Sequence, residues 1–211
     1  MPAPGIRPSF TRRLAPALLL ACAAGLMHAA SFPLELPGHV VTVEVSDELG
    51  ATPIPGTPNL TAYLAFPSGQ PLAAPSWLSQ ADSVRVVLRP LPPGVPTRVE
   101  ALLERALPTA SSHAAGRPWF VRATDDGMAV YMQVTQETWT FQGRDGARVG
   151  VNMPTTPIQH THLASRRYGD ALEVIYQYGR EHTDLRAMDA FVLTQLRKHV
   201  RSVQSKVRPA D

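Results

Sequence analysis

Between Trp119 and Tyr178 apolar and polar residues alternate in short runs separated by glycine-containing turns, and this pattern restricts the fold more than any other feature of the chain. Trp119, Val121 and Ala123 form a first run, closed by "DDG" at Asp126. Val130, Met132 and Val134 form a second, and Trp139 with Phe141 a third. "GRDG" at Gly143 leads into Val149, Val151 and Met153, and a last run carries Leu172, Val174, Tyr176 and Tyr178. A period of two places alternate side chains on one face of a strand. Turns this short join antiparallel neighbours, because parallel neighbours need long crossovers. A meander with one apolar face must then be covered on that face.

The end of the chain offers a cover. Thr183 or Asp184 caps a helix whose Leu185, Met188, Val192, Leu196, Val200 and Val203 recur at three and four residues, the spacing of a single helical stripe. A shorter helix is marked upstream, where Thr97 and Glu100 have capping-box spacing, Val99, Leu102, Leu103, Ala106 and Leu107 make a stripe, and Pro108 closes it. Before it, Val41, Val43 and Val45, then Leu60, Ala62, Leu64 and Phe66, then Val84, Val86 and Leu88 read as strands. Proline-rich loops, "ATPIPGTPN", "PSGQPLAAP" and "PLPPGVP", separate them. The expected fold is α+β, an antiparallel meander sheet packed by two helices in a two-layer sandwich. It forms one domain over residues 31–211, with proline-rich loops and a basic C-terminal tail. This order of elements, with a long amphipathic helix after an antiparallel meander, resembles in layout the PsbP/Mog1/DcrB-like sandwich of exported bacterial proteins. The resemblance spans about residues 40–204, rests on no diagnostic motif, and assigns no functional residue.

Residues 1–30 read as an export signal: Arg7, Arg12 and Arg13 precede "LAPALLLACAAGLMHAAS", a basic segment, an apolar run and small residues. The run is too short, and too broken by Pro16, to span a bilayer. Two processing routes compete. "LLAC" resembles a lipobox, so that Cys22 would become a lipidated first residue. Ordinary cleavage at a small-x-small site also fits, with Ala21 and Ala23 as its small residues, whereas cleavage after Ala30 sets bulky His28 where a small side chain is wanted. Cys22 is the single cysteine, which removes disulfides, thiolate nucleophiles and cysteine-ligated zinc from consideration. The formal charge of +3 resides in residues 1–30, which hold three arginines and no acid, and the remainder carries 17 basic and 17 acidic residues. Nucleic-acid binding is therefore not expected, and contact with a membrane only through a lipid on Cys22.

One stretch, "QHTHLASRRYGD", looks dense enough in polar groups to be a site. If "RYGD" turns a hairpin into the strand at Leu172, then His160, His162 and Ala164 line one face of the preceding strand. If instead Thr156 and Pro157 open a helical turn, His160 and His162 diverge. The hairpin is preferred because the strand after it is firmly marked. Even so, two imidazoles are short of the three or four ligands zinc takes, and His182, His113, His39 or Asp184 would have to complete the set. Ser111, Ser112 and His113 lack a nucleophile-elbow motif, Asp125 and Asp126 read as turn formers, and "GRDG" lacks a P-loop lysine. No cofactor is expected. Trp139 and Phe141, with Tyr176 and Tyr178, could form an aromatic ligand face, although aromatics at this spacing commonly pack in a core. The leading expectation is an exported, non-enzymatic envelope binding or assembly accessory. A small-ligand binder on the aromatic face, or a metal-binding protein or enzyme centred on His160 and His162, are the alternatives.

Overall fold

The computed structural model describes residues 28–73, 82–110, 116–134, 136–154 and 159–208. The expected signal segment up to residue 27, Cys22, the loop at Ser111, Ser112 and His113, and Thr156 and Pro157 lie outside the described residues.

Each run with a period of two forms a strand, although Phe66 and Val134, read as the last members of their runs, fall in the turns just beyond. The large sheet contains β3 (Thr52–Pro53), β4 (Leu60–Ala65), β5 (Ser83–Pro90), β6 (Trp119–Ala123), β7 (Ala129–Gln133), β8 (Gln136–Gln142), β9 (Arg148–Pro154), β10 (Thr161–Tyr168) and β11 (Leu172–Gly179). Its order is β3-β4-β5-β11-β10-β9-β8-β7-β6, with antiparallel neighbours throughout. A smaller antiparallel sheet, in the order β1-β2-β12, is built from β1 (Ala29–Leu36), β2 (His39–Ser46) and β12 (Val200–Val207). Two helices complete the described residues apart from a short 3-10 turn: α1 (Arg98–Arg105) and α2 (Leu185–His199).

Register places Leu60, Val86, Tyr176, Ala164, Val151 and Trp139 on one face of the large sheet. That face meets Leu185, Met188, Val192 and Leu196 of α2 and Val41, Val43 and Val45 of β2 in a single buried core. An α+β fold with an antiparallel sheet packed by two helices is therefore observed. Helix α2 shares its side with the smaller sheet, while α1 lies against the opposite face.

The seat of α1 is Gly150, which sits between core-facing Val149 and Val151 and so faces the other way. A Cβ there would stand 2.5 Å from Val99 Cγ2 and 2.7 Å from Val99 Cβ. Because the crowding atom lies close to the helix backbone, α1 must move to admit a methyl group. Gly150→Ala is expected to cost about 1–3 kcal/mol in urea unfolding, the usual range for overpacking. A cost under about 0.5 kcal/mol, the size of an ordinary surface change, would show that α1 is not seated there.

Helix α1 starts with the anticipated capping box: Glu100 N donates to Thr97 Oγ1 at 3.3 Å, and Thr97 N donates to Glu100 Oε2 at 2.7 Å. Helix α2 is capped by Asp184, whose Oδ1 accepts from Ala187 N at 2.9 Å. Helix α1 ends at Arg105, so Ala106 and Leu107, read into its stripe, lie beyond it, and Leu107 bridges to Trp119 instead. The stripe of α2 ends at Leu196, and Val200 and Val203, read as its continuation, belong to β12. The chain beyond His199 finds in β2 a strand to pair with, and Val203, Ser205 and Val207 alternate along it. Strand β1 was not expected at all. Its signal is Pro37-Gly38, a two-residue connection with Gly38 at φ +73°, joining it to β2.

Candidate functional site

The polar stretch beginning at Gln159 runs into a β10–β11 hairpin. Its alternation carries His162, Ala164 and Arg166 onto the core face, opposite Tyr178, Tyr176 and Val174. His160 precedes the strand and is exposed, and its carbonyl accepts from Arg180 N at 3.2 Å. His162 is buried with its ring 5.4 Å from that of Tyr178, and neither ring nitrogen has a hydrogen-bond partner. The two imidazoles thus occupy different environments, one in solvent and one in the core. Of the proposed third ligands, His182 packs its ring on Phe66 at 5.0 Å and lies 3.5 Å from Asp82, Asp184 caps α2, and His39 opens β2. Among the described residues no group of three or more His, Cys, Asp or Glu side chains is placed to hold a metal ion.

The densest polar arrangement centres on Arg166, fully buried in β10. Its Nη1 donates to Asp189 Oδ1 and Oδ2 at 2.8 and 2.7 Å, its Nη2 donates to both oxygens of Asp145, and its Nε donates to the Arg167 carbonyl at 3.4 Å. Tyr176 Oη donates to Asp189 Oδ1 at 3.0 Å. Sheet, helix α2 and the β8–β9 turn are tied at one point. Burial disfavours the Arg166 charge, but the two carboxylates outweigh it and raise its pKa above the ordinary value. Asp145, at the solvent edge, is held below the usual range by Arg166 despite partial burial. Burial pushes Asp189 above its usual range and Tyr176 well above, with the guanidinium pulling against both. All three Arg166 nitrogens meet protein oxygens and the side chain is fully buried, so the guanidinium presents no surface to an incoming anion.

A second tie lies on the opposite face. Glu173, fully buried in β11, takes the Arg98 backbone N–H on Oε1 at 2.7 Å and pairs its Oε2 with Arg89 Nη2. Beside it Arg167 grips Glu100 through Nη2 at 2.7 Å and Nε at 3.2 Å. That grip, with the capping bonds, holds the Glu100 carboxyl down to about 2. Both arrangements fasten α1 to the sheet.

The aromatic residues share the core face. Phe141, Tyr176 and Tyr178 are buried, and the two tyrosine rings stack with centroids 6.0 Å apart. Trp139 is half-buried, donates from Nε1 to Glu137 Oε2 at 2.9 Å, and has Arg122 over its ring at 5.3 Å. In this arrangement three of the four pack within the protein, leaving Trp139 the member of the set nearest solvent.

Sequence reasoning passed over the buried ions, yet two signals were present. Asp189 sits four residues after Leu185 and three before Val192, inside the helical stripe, and Arg166 continues the alternation of His162 and Ala164. Two open surface grooves stand out among the described residues. One, of about 360 Å³, lies between the β8–β9 turn and the start of α2. The other, of about 530 Å³, lies between Ser205 of β12, the loop at Pro93 and Pro96, and Glu104 of α1.

Two buried histidines make stability depend on pH. Burial depresses His162, helped by Arg180, and burial depresses His199, helped by Lys198, although His199 Nδ1 meets Ser46 Oγ at 2.7 Å. An unfolded histidine titrates near 6.5. Below that pH the unfolded chain binds more protons than the folded one, so stability is complete above about 6.5 and falls as the pH drops towards the folded values. Urea midpoints are expected to decline from pH 7.5 to 5.5, and His162→Phe to flatten that decline. An unchanged slope in the variant would contradict the assignment.

No family model, curated protein or solved structure matches this chain.

Proposed function

We propose that this is an exported, non-enzymatic domain of the bacterial cell envelope that works by binding through its surface, as a binding or assembly accessory. The observation supporting this most is that the side chains best suited to chemistry are engaged with one another. Arg166 is bonded to Asp189 and Asp145, Glu173 to Arg89 and the start of α1, and Phe141, Tyr176 and Tyr178 lie in the core. What the domain presents to others is then its outer contour. The N-terminal sequence supports export, and among the described residues no helix is long and apolar enough to cross a membrane. The layout shared with PsbP/Mog1/DcrB-like sandwiches belongs to the same proposal.

Strand β1 gives the export reading a testable boundary. Ala29 pairs with Ser46, and the His28 carbonyl accepts from Asp47 N at 3.2 Å. Cleavage at the Ala21-x-Ala23 site, or lipidation at Cys22, leaves this strand whole, whereas cleavage after Ala30 removes its first two residues. Mass spectrometry of protein taken from its native cells is expected to find a mature N-terminus upstream of Ala29. In-cell photocrosslinking is expected to link the surface to an envelope protein. Chains retaining Met1 in the cytoplasm, or a purified domain that turns over a substrate, would overturn the reading.

A further inference from the structure

We propose that His162 and Met153 hold a monovalent soft metal ion of the cuprous class, with Glu137 beside them as the counter-charge. This goes beyond the surface-binding reading and does not depend on it.

His162 is 3% exposed, yet both of its ring nitrogens are buried without a hydrogen-bond partner. The hydroxyl of Tyr178, whose ring packs edge-on against the imidazole, is likewise buried and unpartnered. Buried polar groups ordinarily find a protein group, a water or an ion to satisfy them. The other buried histidine shows the contrast, since His199 meets Ser46 Oγ at 2.7 Å. The Arg180 backbone lies beside the His162 ring, close enough to pull its pKa upward against burial but short of hydrogen-bond geometry. An acceptor on that side keeps the ring proton there and leaves the lone pair of the other nitrogen for a metal, as in most ligating histidines.

Sheet register supplies a second donor. Asn152 pairs with Leu163, so Met153 and His162, one residue further along, fall opposite each other on the core face, where Met153 packs against the core. In a regular sheet the Cβ atoms of such a pair stand roughly 5 Å apart. The β9–β10 ladder ends at Asn152 and Leu163, so the two side chains face each other where no backbone bond draws the strands together. Methionine is unbranched and flexible, and its sulfur can swing to the imidazole. One strand further on, Glu137 pairs with Met153 on the same face. Nitrogen, sulfur and carboxylate oxygen thus stand in one row across three strands. Met153 and Glu137 are half-buried, which gives an ion a way in from solvent.

The donor set selects the ion. Calcium and magnesium take oxygen ligands, several at a time, and one carboxylate does not supply them. Zinc takes three or four ligands from thiolate, imidazole and carboxylate, and here one Glu137 oxygen already accepts from Trp139 Nε1. A thioether beside an imidazole suits a soft ion, of which cuprous copper is the common case. Charge agrees with this choice. Near His162 the charges of Arg180 and Glu181 act in opposite directions, and His182 lies 3.5 Å from Asp82. Glu137 then balances one positive charge, whereas a divalent ion would keep an uncompensated charge beside the core.

The test uses the full chain with Cys22→Ser, which removes the only thiol, carrying methyl-13C methionine and 15N histidine, and titrated with Ag(I) as a redox-inert stand-in for Cu(I). Of the six methionine methyl signals only that of Met153 is expected to shift, together with the His162 ring nitrogens, and both to saturate at a single ion per chain. Zn(II) and Ca(II) at the same concentrations should move neither. Met153→Leu, which conserves volume, is expected to weaken binding about tenfold or more, and Met128→Leu to leave it unchanged. Shifts confined to other methionines or to His160, no shift at Met153, tighter binding of Zn(II) than of Ag(I), or full binding by a folded Met153→Leu chain would each overturn the proposal. The shifts in the chain that keeps Met153 decide the matter even where Met153→Leu unfolds. Envelope cross-links are read separately, so a failure here leaves the surface-binding reading standing.

Discussion

Arg166→Met is expected to lower the unfolding free energy by about 3–5 kcal/mol, the cost of leaving a buried charge without its partner. The methionine fills much of the aliphatic volume, so the loss is electrostatic in origin. Asp189 keeps only the Tyr176 hydroxyl among these partners, and its carboxylate is buried on α2. Asp145 suffers less, because its side chain is 23% exposed and can turn outward. Asp189→Leu alone strands the guanidinium, but Asp145 still balances its charge, so the loss should be smaller than for Arg166→Met. Combining the two substitutions removes both buried charges. Well-packed apolar replacements of buried ion pairs are commonly neutral or stabilising, so the double variant should recover most of the stability lost by Arg166→Met. Urea titration of the four proteins gives the coupling directly.

The second large effect belongs to Glu173. Glu173→Ala is expected to cost about 2–3 kcal/mol, since it removes a charge-assisted bond to the first turn of α1 and the ion pair with Arg89. Arg89 is one-third exposed and can find water, which keeps the figure below that for Arg166. Glu173→Gln retains an acceptor for the Arg98 N–H and should lose about half as much. The damage is local in kind: amide exchange in α1 should accelerate more than exchange in α2, which is fastened separately through Asp189. Equal acceleration in both helices would contradict two independent ties.

These effects also mark how far the sequence is legible. Period-two runs and glycine turns identify most of the large sheet, because side-chain alternation and turn chemistry are local properties. The capping box at Thr97 identifies the start of α1 for the same reason. Strand β1 was hidden by its neighbourhood: Ala29 and Ala30 adjoin a leader-like run, and Phe32 and Leu34 alternate around a proline. The conversion of Val200 and Val203 from helix to strand depends on β2, more than 150 residues distant in the chain, which no local periodicity reports. For the candidate site, His160 and His162 drew attention as ligand types, while Arg166 and Asp189 meet only after the hairpin and α2 are packed. The stripe position of Asp189 was the readable clue, since a carboxylate on a buried face requires a partner.

The central claim is that the buried ions hold the fold and leave function to the surface, and the Arg166→Met/Asp189→Leu chain expressed in its native cells tests it most directly. In-cell photocrosslinking from probes on exposed surface positions should return the same linked products as the unaltered protein, at matched folded abundance. A double variant that is as stable as its parent but has lost those products would contradict the claim, and would make the Arg166 cluster part of the working site.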